Sequence, residues 1–304
     1  MATLGLRIAK SAAAAALLGM LAAGTAHADN LYVCNSSAGT IGKYTTAGTA
    51  VNPALVSGLA YPVSVALDGN GYMYVADRVR SVIGKYTTSG TPVNTALISV
   101  PAGPDGIALD GSGHLFVSNA NATIGEYTTD GATVNAALLT LANYADGISL
   151  DGQGHLFAAQ FMSGTIGEYT TAGGTVNSAL VSGLSGPSEI ALDGSGHLFV
   201  TNYSGDRVGE YTTAGATINP SLISVNRPEG IALDGNGHLF VASYTNGTIG
   251  EYTIAGAPVN PALVSGLSGP IGLSVEVVPQ PSALGLMGIW AAGLLTRRRR
   301  QPMG

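Results

Sequence analysis

One cysteine, Cys34, and one tryptophan, Trp290, stand in a chain of 304 residues. A single thiol excludes an internal disulfide, even in a compartment that would permit one. Cys34 aligns with Ser118 of a later repeat, and that places it as a packed strand residue. Charge is also scarce, at 10% of residues, and basic side chains number 12 against 18 acidic ones. No apolar run reaches the ~20 residues that a bilayer-spanning helix needs. Ser-His-Asp and Cys-His constellations do not stand out, and no phosphate-cradling glycine loop precedes a helix.

Glycine is abundant, at 44 residues, and its placement is periodic. An Asp-Gly pair falls at Asp68, Asp110, Asp151, Asp193 and Asp234, spaced 42, 41, 42 and 41 residues apart. A fixed period near forty marks a repeat architecture. Each copy holds four short apolar runs, in the last repeat GIALD, HLFVA, TIGEYT and ALVSGL, separated by Gly-, Asn- and Pro-rich turns. Four strands per repeat predict the blade of a β-propeller. The second-strand run occurs six times, beginning at Leu31, Tyr72, His114, His155, His197 and His238, and the Tyr-Thr run also occurs six times. The first-strand run precedes its Asp only five times, and a degenerate sixth copy, GPIGLSVE, ends the array at residue 276. The expected fold is therefore all-β. It is a six-bladed β-propeller of four-stranded blades, spanning residues 29–277, with the first blade closed by the C-terminal strand. Closure removes the open edges that invite aggregation.

Residues 1–28 read as a secretory signal peptide. Arg7 and Lys10 form the basic region, residues 11–24 the apolar stretch, and Ala26-His27-Ala28 the small-x-small cleavage site before Asp29. The propeller segment keeps all 18 acidic residues but only six of the 12 basic ones, leaving a formal charge of −12. Such a surface excludes nucleic acid as the expected partner. It suits cations or basic ligands, or it serves solubility alone.

Beyond the array, Val278-Pro279-Gln280-Pro281 opens a spacer over residues 278–282. An apolar run over 283–296 and four arginines at 297–300 follow, within a tail of residues 283–304. Fourteen helical residues reach about 21 Å, short of the ~30 Å hydrocarbon core. This order of parts resembles the PEP-CTERM sorting region of Gram-negative exopolysaccharide producers, with Gln280 where the Val-Pro-Glu-Pro motif has Glu. The resemblance implies processing by an exosortase-type enzyme during export and a transient membrane association through the tail. The destination it implies is the envelope, outer surface or extracellular matrix. The competing reading is an ordinary single-span transmembrane helix.

The repeats resemble NHL-type propeller repeats. They are also similar to those of the virginiamycin B lyase (streptogramin lyase) family, whose units read Gly-Pro…Ile-Ala…Asp-Gly…Ile-Gly…Thr-Thr. The resemblance covers residues 31–276. It implies a propeller fold and, in the lyase, seven blades, a Trp-Phe-Thr-Glu second strand and catalysis by a histidine and a glutamate with magnesium. Here the count is six, the second strands read Leu-Phe-Val-Ser or Leu-Phe-Val-Ala, and Trp290 lies in the tail. No single position takes the lyase's catalytic pair.

Two repeated columns invite chemistry. His114, His155, His197 and His238 flank the Asp-Gly-x-Gly turns, too far apart in neighbouring blades, at ~10 Å or more, to converge on one ion. The Asp of each turn shares part of a calcium-loop pattern, and an Asp capping its own turn explains it without metal. Breaks in the repeat carry more information, because a functional site needs each of its residues only once. The loops between second and third strands supply Arg78, Arg80, Phe161, Tyr203 and Tyr244 as a candidate ligand face. Five residues before each repeat's Asp stand Val63, Asp105, Asp146, Ser188 and Glu229, with Ile271 at the aligned position of the closing strand and Glu189 one residue further along. Asp105, Asp146 and Glu229 are the candidate metal ligands, for calcium or magnesium held at one mouth of the channel. The alternative is a solvated acidic rim. The function expected is a binding or structural module, taking extracellular polysaccharide or protein. The rival is a secreted lyase or hydrolase with its site at the channel mouth.

Overall fold

In the computed structural model, which describes residues 29–276, each repeat becomes one antiparallel four-stranded sheet, and six sheets stand in a ring as a β-propeller. Blade 2 runs outward from the axis as Pro62–Leu67, Tyr72–Asp77, Val82–Thr87 and Pro92–Ser99. Blades 3 to 6 follow the same plan, with innermost strands Pro104–Leu109, Ile148–Leu150, Pro187–Leu192 and Pro228–Leu233. The blade 4 strand is the short one, and Ala145 stands there where the others begin with proline. The signal peptide, the spacer and the tail expected from the sequence lie outside the described residues. Among those residues no helix is long and apolar enough to cross a membrane.

The second strand of every blade is a continuous apolar run because neighbouring blades cover both its faces. In blade 6, His238–Ser243 is buried from Leu239 onward. The core consequently lies between the blades. Six apolar clusters fill six junctions, each drawing on two blades, as when Tyr32, Cys34, Ile41 and Val56 meet Val65, Met73, Val75 and Tyr86. Cys34 is wholly buried, as its alignment with Ser118 implied.

The outermost strands differ from the expected run. In blade 6 the strand is Pro258–Val264, beginning before the apolar stretch, and Ser-Gly-Leu has already left the sheet for the next blade. Its first five residues are exposed, so no burial pattern marks it. An Asn in each of these strands, Asn260 here, accepts the N–H two residues on, and the register shifts beside it. Such a bulge blunts an edge that would otherwise pair with another chain.

Ring closure pairs Pro270–Glu276 antiparallel with Asn30–Asn35, matching Leu31 with Val275 and Val33 with Leu273. The cluster at that junction joins Leu31, Val33, Tyr44 and Leu273 to Phe240, Ala242, Ile249 and Val264 of blade 6. Glu276 adds a polar clamp by accepting hydrogen bonds from Asn30 Nδ2 and Tyr32 OH, both at 2.9 Å, and pairing with Lys43 at 3.5 Å. The first and last strands of the described residues thus meet in blade 1.

Candidate functional site at the channel mouth

Strand parity places two kinds of turn at opposite ends of the channel. At one end lie the Asp-Gly-x-Gly turns, and each is self-contained. Asp110 Oδ1 accepts from the backbone N–H of Ser112 and His114, and its Oδ2 meets His114 Nδ1 at 2.9 Å. Asp151–His155, Asp193–His197 and Asp234–His238 repeat the pairing at 2.7, 2.8 and 2.8 Å. The aspartates cap their own turns, and each histidine is bound to the turn of its own blade.

At the other end, the second-to-third-strand loops hydrogen-bond to the connections that enter the innermost strands. Arg78 N donates to Tyr61 O, Tyr203 N to Gly186 O and Tyr244 N to Arg227 O. Here the column five residues before each Asp converges. Val63, Asp105, Asp146, Ser188, Glu229 and Ile271 all line one cavity of about 110 Å³, together with Tyr61, Arg78 and Glu189. The column's polar members, Asp105, Asp146, Ser188 and Glu229, come from four consecutive blades, and Val63 and Ile271 form an apolar wall opposite. Glu189 also lines a second cavity of about 270 Å³ lower in the channel, between the innermost strands.

Contacts within the pit are few. Arg78 Nε lies 3.1 Å from Asp105 Oδ1, while Asp105 Oδ2 is buried without a hydrogen-bond partner. Ser188 Oγ donates to Glu229 Oε2 at 2.5 Å. Burial disfavours the charged forms and raises every one of these carboxyls. Asp105 is pushed to about 6 by burial, against the pull of Arg78. Asp146 rises to about 8 through burial and then the charges of Asp105 and Glu229. Burial likewise takes Glu189 to about 8; the Ile190 N–H opposes the rise, and Asp146 and Glu229 add to it. Glu229 is raised by burial and restrained by Ser188 and Arg78. At neutral pH the pit therefore holds protons as well as charge.

Above the pit runs a rim built by exchange of size between two columns. The loop column reads Ser36, Arg78, Ala120, Phe161, Tyr203, Tyr244, and the column it faces in the next blade reads Tyr61, Gly103, Tyr144, Gly186, Arg227, Gly269. A Cβ on Gly103 would strike the Arg78 side chain, and on Gly186 or Gly269 it would press on the rings of Phe161 or Tyr244. Where the loop residue is Ser36 or Ala120, the connection carries a tyrosine instead. At the fifth junction Arg227 lies over the Tyr203 ring, 5.4 Å from its centroid. At least one large group thus crowns every junction, and the fifth has two. Phe161, Tyr203 and Tyr244 form a chain of ring contacts, with centroids 6.0 and 6.5 Å apart.

The residues singled out from the sequence fall unevenly on this frame. Arg78 belongs to the pit as its cation, and Phe161, Tyr203 and Tyr244 belong to the rim. Arg80 does neither, because its guanidinium is spent on Asp77 and Gly58 O. Tyr61 and Tyr144 escaped the sequence reading, which aligned the position five residues before each Asp but not the one seven before it, where both stand. Asp105, Asp146 and Glu229 share the cavity. Yet among the described residues no three acidic, histidine or cysteine side chains are grouped to hold one metal ion. Their placement thus gives the calcium or magnesium expectation no support. The magnesium implied by the lyase resemblance fits no better, since the four described histidines stand at the far end of the channel.

A closed propeller with a carboxyl-lined mouth under an aromatic rim is the class that fold and site define. The virginiamycin B lyase family matches residues 8–276, and the chain belongs to that family. No curated protein matches it. Among solved structures, a nidogen/laminin complex contains a chain similar at 17% identity and a TM-score of 0.69, covering 82% of this chain and 98% of that one. A catalytically inactive virginiamycin B lyase from Staphylococcus aureus with quinupristin is similar at 20% identity and a TM-score of 0.60, covering 83% and 94%. A streptogramin B lyase is similar at 21% and 0.59, covering 81% and 83%. Identities this low speak for the fold alone. The chain keeps six blades where the lyase resemblance implied seven.

Proposed function

We propose that this propeller is an exported, surface- or matrix-associated binding module whose ligand seats on the rim and reaches into the pit. The observation that carries the reading is the rim itself, with at least one large aromatic or arginine group at every junction around an acidic cavity. Half-exposed aromatic and arginine side chains are the usual anchors of recognition surfaces. The complex of nidogen with laminin, in which a propeller of this shape takes part, supports a protein as partner. Export rests on residues 1–28 and on the tail of residues 283–304, with exosortase-type processing.

The second reading is a lyase or hydrolase. Family membership and the raised carboxyls Asp146 and Glu189 favour it. Against it stands the absence of any described histidine from this mouth. One experiment addresses both. The full chain and its Phe161→Ala, Tyr203→Ala, Tyr244→Ala triple variant are titrated against the extracellular matrix fraction of the producing cells, and each is incubated with quinupristin. Binding that is retained by the parent and lost by the variant supports the module; equal binding overturns it. Turnover of quinupristin would establish the lyase reading instead. Mass spectrometry of the surface fraction checks processing. The chain is expected to begin near Asp29 and to lack the tail of residues 283–304, and an intact peptide of residues 297–300 there would refute removal of the tail.

A further inference from the structure

We infer that Arg227, laid on the Tyr203 ring at the junction of blades 5 and 6, receives a carboxylate from an acidic patch on a protein partner that covers the rim. This names the chemistry of the partner in the binding reading and rests on that reading. Backbone conformation singles the residue out. Arg227 has a φ of 43°, in the left-handed region, at a column where Gly186 and Gly269 take φ values of 62°. A non-glycine residue there is uncommon, and such strain is kept chiefly at functional positions. Asp206 Oδ1 pins the backbone by accepting the Arg227 N–H at 2.8 Å. The side chain is held as well, because Nη1 donates to Tyr203 OH at 3.3 Å and the guanidinium carbon lies 5.4 Å from the ring centroid. An exposed arginine fixed in this way loses little freedom when a partner arrives.

Charge selects what it meets. All four arginines of the described residues, Arg78, Arg80, Arg207 and Arg227, stand at the mouth. The two lysines stand at the other end, where Lys43 and Lys85 donate to the carbonyls of Thr88 and Thr129 beside the Asp-Gly-x-Gly turns. The five turn aspartates and Glu276 share that end, so much of the net negative charge lies away from the mouth. At the mouth, Arg78 and Arg80 are matched by the buried Asp105 and Asp77. Asp146 and Glu189, with pKa values of about 8, hold their protons at neutral pH. Among the described residues Arg207 and Arg227 have no ion pair. The contact with Tyr203 leaves Nε and Nη2 of Arg227, one edge of the guanidinium, for two parallel N–H bonds to a carboxylate. A protein is the source because Val79 and Met162 stand in loops of the same mouth at 70% and 69% exposure, the most exposed large hydrophobics among the described residues. Protein interfaces concentrate arginine, methionine and aromatic rings, and an acidic polysaccharide brings no apolar side chain to cover them.

The test titrates the full-length chain by calorimetry, at low salt and up to millimolar ligand. The probes are a blocked heptapeptide, Gly-Leu-Glu-Gly-Glu-Leu-Gly, its glutamine counterpart, and polygalacturonate. The glutamate peptide is expected to bind roughly tenfold or more tighter than the glutamine one. Arg227→Gly is expected to weaken it by roughly tenfold or more while melting at or above the parent temperature, because glycine takes this backbone without strain. Arg227→Gln keeps the stem and removes the charge, and it should weaken binding to a similar degree, so that the result does not hang on one variant. Equal binding of the two peptides, binding of neither, or undiminished binding by both variants overturns the inference. A glycine variant that melts below the parent gives Arg227 to the fold and overturns it too. Polygalacturonate binding tighter than the glutamate peptide overturns the protein as source. The matrix-binding experiment tests the aromatic rim without touching Arg227, so it still judges the module reading separately.

Discussion

Ring closure turns on seven residues at the end of the propeller, and Leu273 is the place to test it. Its side chain is 8% exposed, stands opposite Val33 and packs in the cluster with Phe240, Ile249 and Val264. The same register in the other blades is held by Val65, Ile107, Ile148, Ile190 and Ile231, opposite Val75, Val117, Ala158, Val200 and Val241. Truncating a buried leucine or isoleucine to alanine costs about 2–5 kcal/mol from lost transfer energy and the cavity left behind. For a domain of this size each kcal/mol moves Tm by about 2–4 °C. Leu273→Ala should therefore lower Tm by roughly 5–15 °C. Ile190→Ala, at 4% exposure, is the matched control, since blade 5 is continuous in the chain. If the closing strand carries the same weight as a covalently continuous one, the two variants fall together. Differential scanning calorimetry of the full-length proteins reads both. A Leu273→Ala protein that melts with the parent while Ile190→Ala falls would refute closure by this strand.

Two further outcomes follow from the channel. Asp146 and Glu189 have folded-state pKa values of about 8, above the ordinary carboxyl range. The folded state therefore holds these protons more tightly than the unfolded chain. That stability is present in full below the unfolded values near 4 and lost as pH rises through the folded ones. Tm should fall by several degrees between pH 5 and pH 9, and Asp146→Asn should flatten the fall; a profile that rises toward pH 9 contradicts the buried cluster. Gly230 packs so close to the next blade that a Cβ would collide with the carbonyl oxygen of Ile271. Gly230→Ala should cost roughly 1–3 kcal/mol or more by overpacking, measured by urea unfolding. An unchanged midpoint would mean that the blades stand further apart.

Much of the architecture was legible because its signals are local. A strand buried on both faces needs an unbroken apolar run, and HLFVA supplies one wherever it recurs. The outermost strands were misjudged at their start because solvent covers their first residues and asks nothing of their side chains. Turn chemistry was equally readable. Asp110 bonds to Ser112 and His114 within its own turn, so five neighbouring residues contain the whole argument. The rim was only half legible. Phe161 and Tyr203 announce themselves as breaks in a loop, but Tyr61 and Tyr144 make sense only against the residues they face.

By itself the sequence determined the number of blades, the closing of the ring by its last strand, and the column from which the mouth is drawn. Those follow from a period of 41 or 42 residues and from counting runs that each fold by local rules. Only the tertiary structure decided what that column becomes. Residues a whole repeat apart meet only because the blades turn about one axis and bring their innermost strands within side-chain reach. That geometry sets Arg78 on one oxygen of Asp105 and buries the other without a partner. It sinks Asp146 and Glu189 deep enough to hold their protons, and it sends every described histidine to the far end of the channel. Burial and distance, which no linear spacing encodes, turned a row of acids into a pit under an aromatic rim.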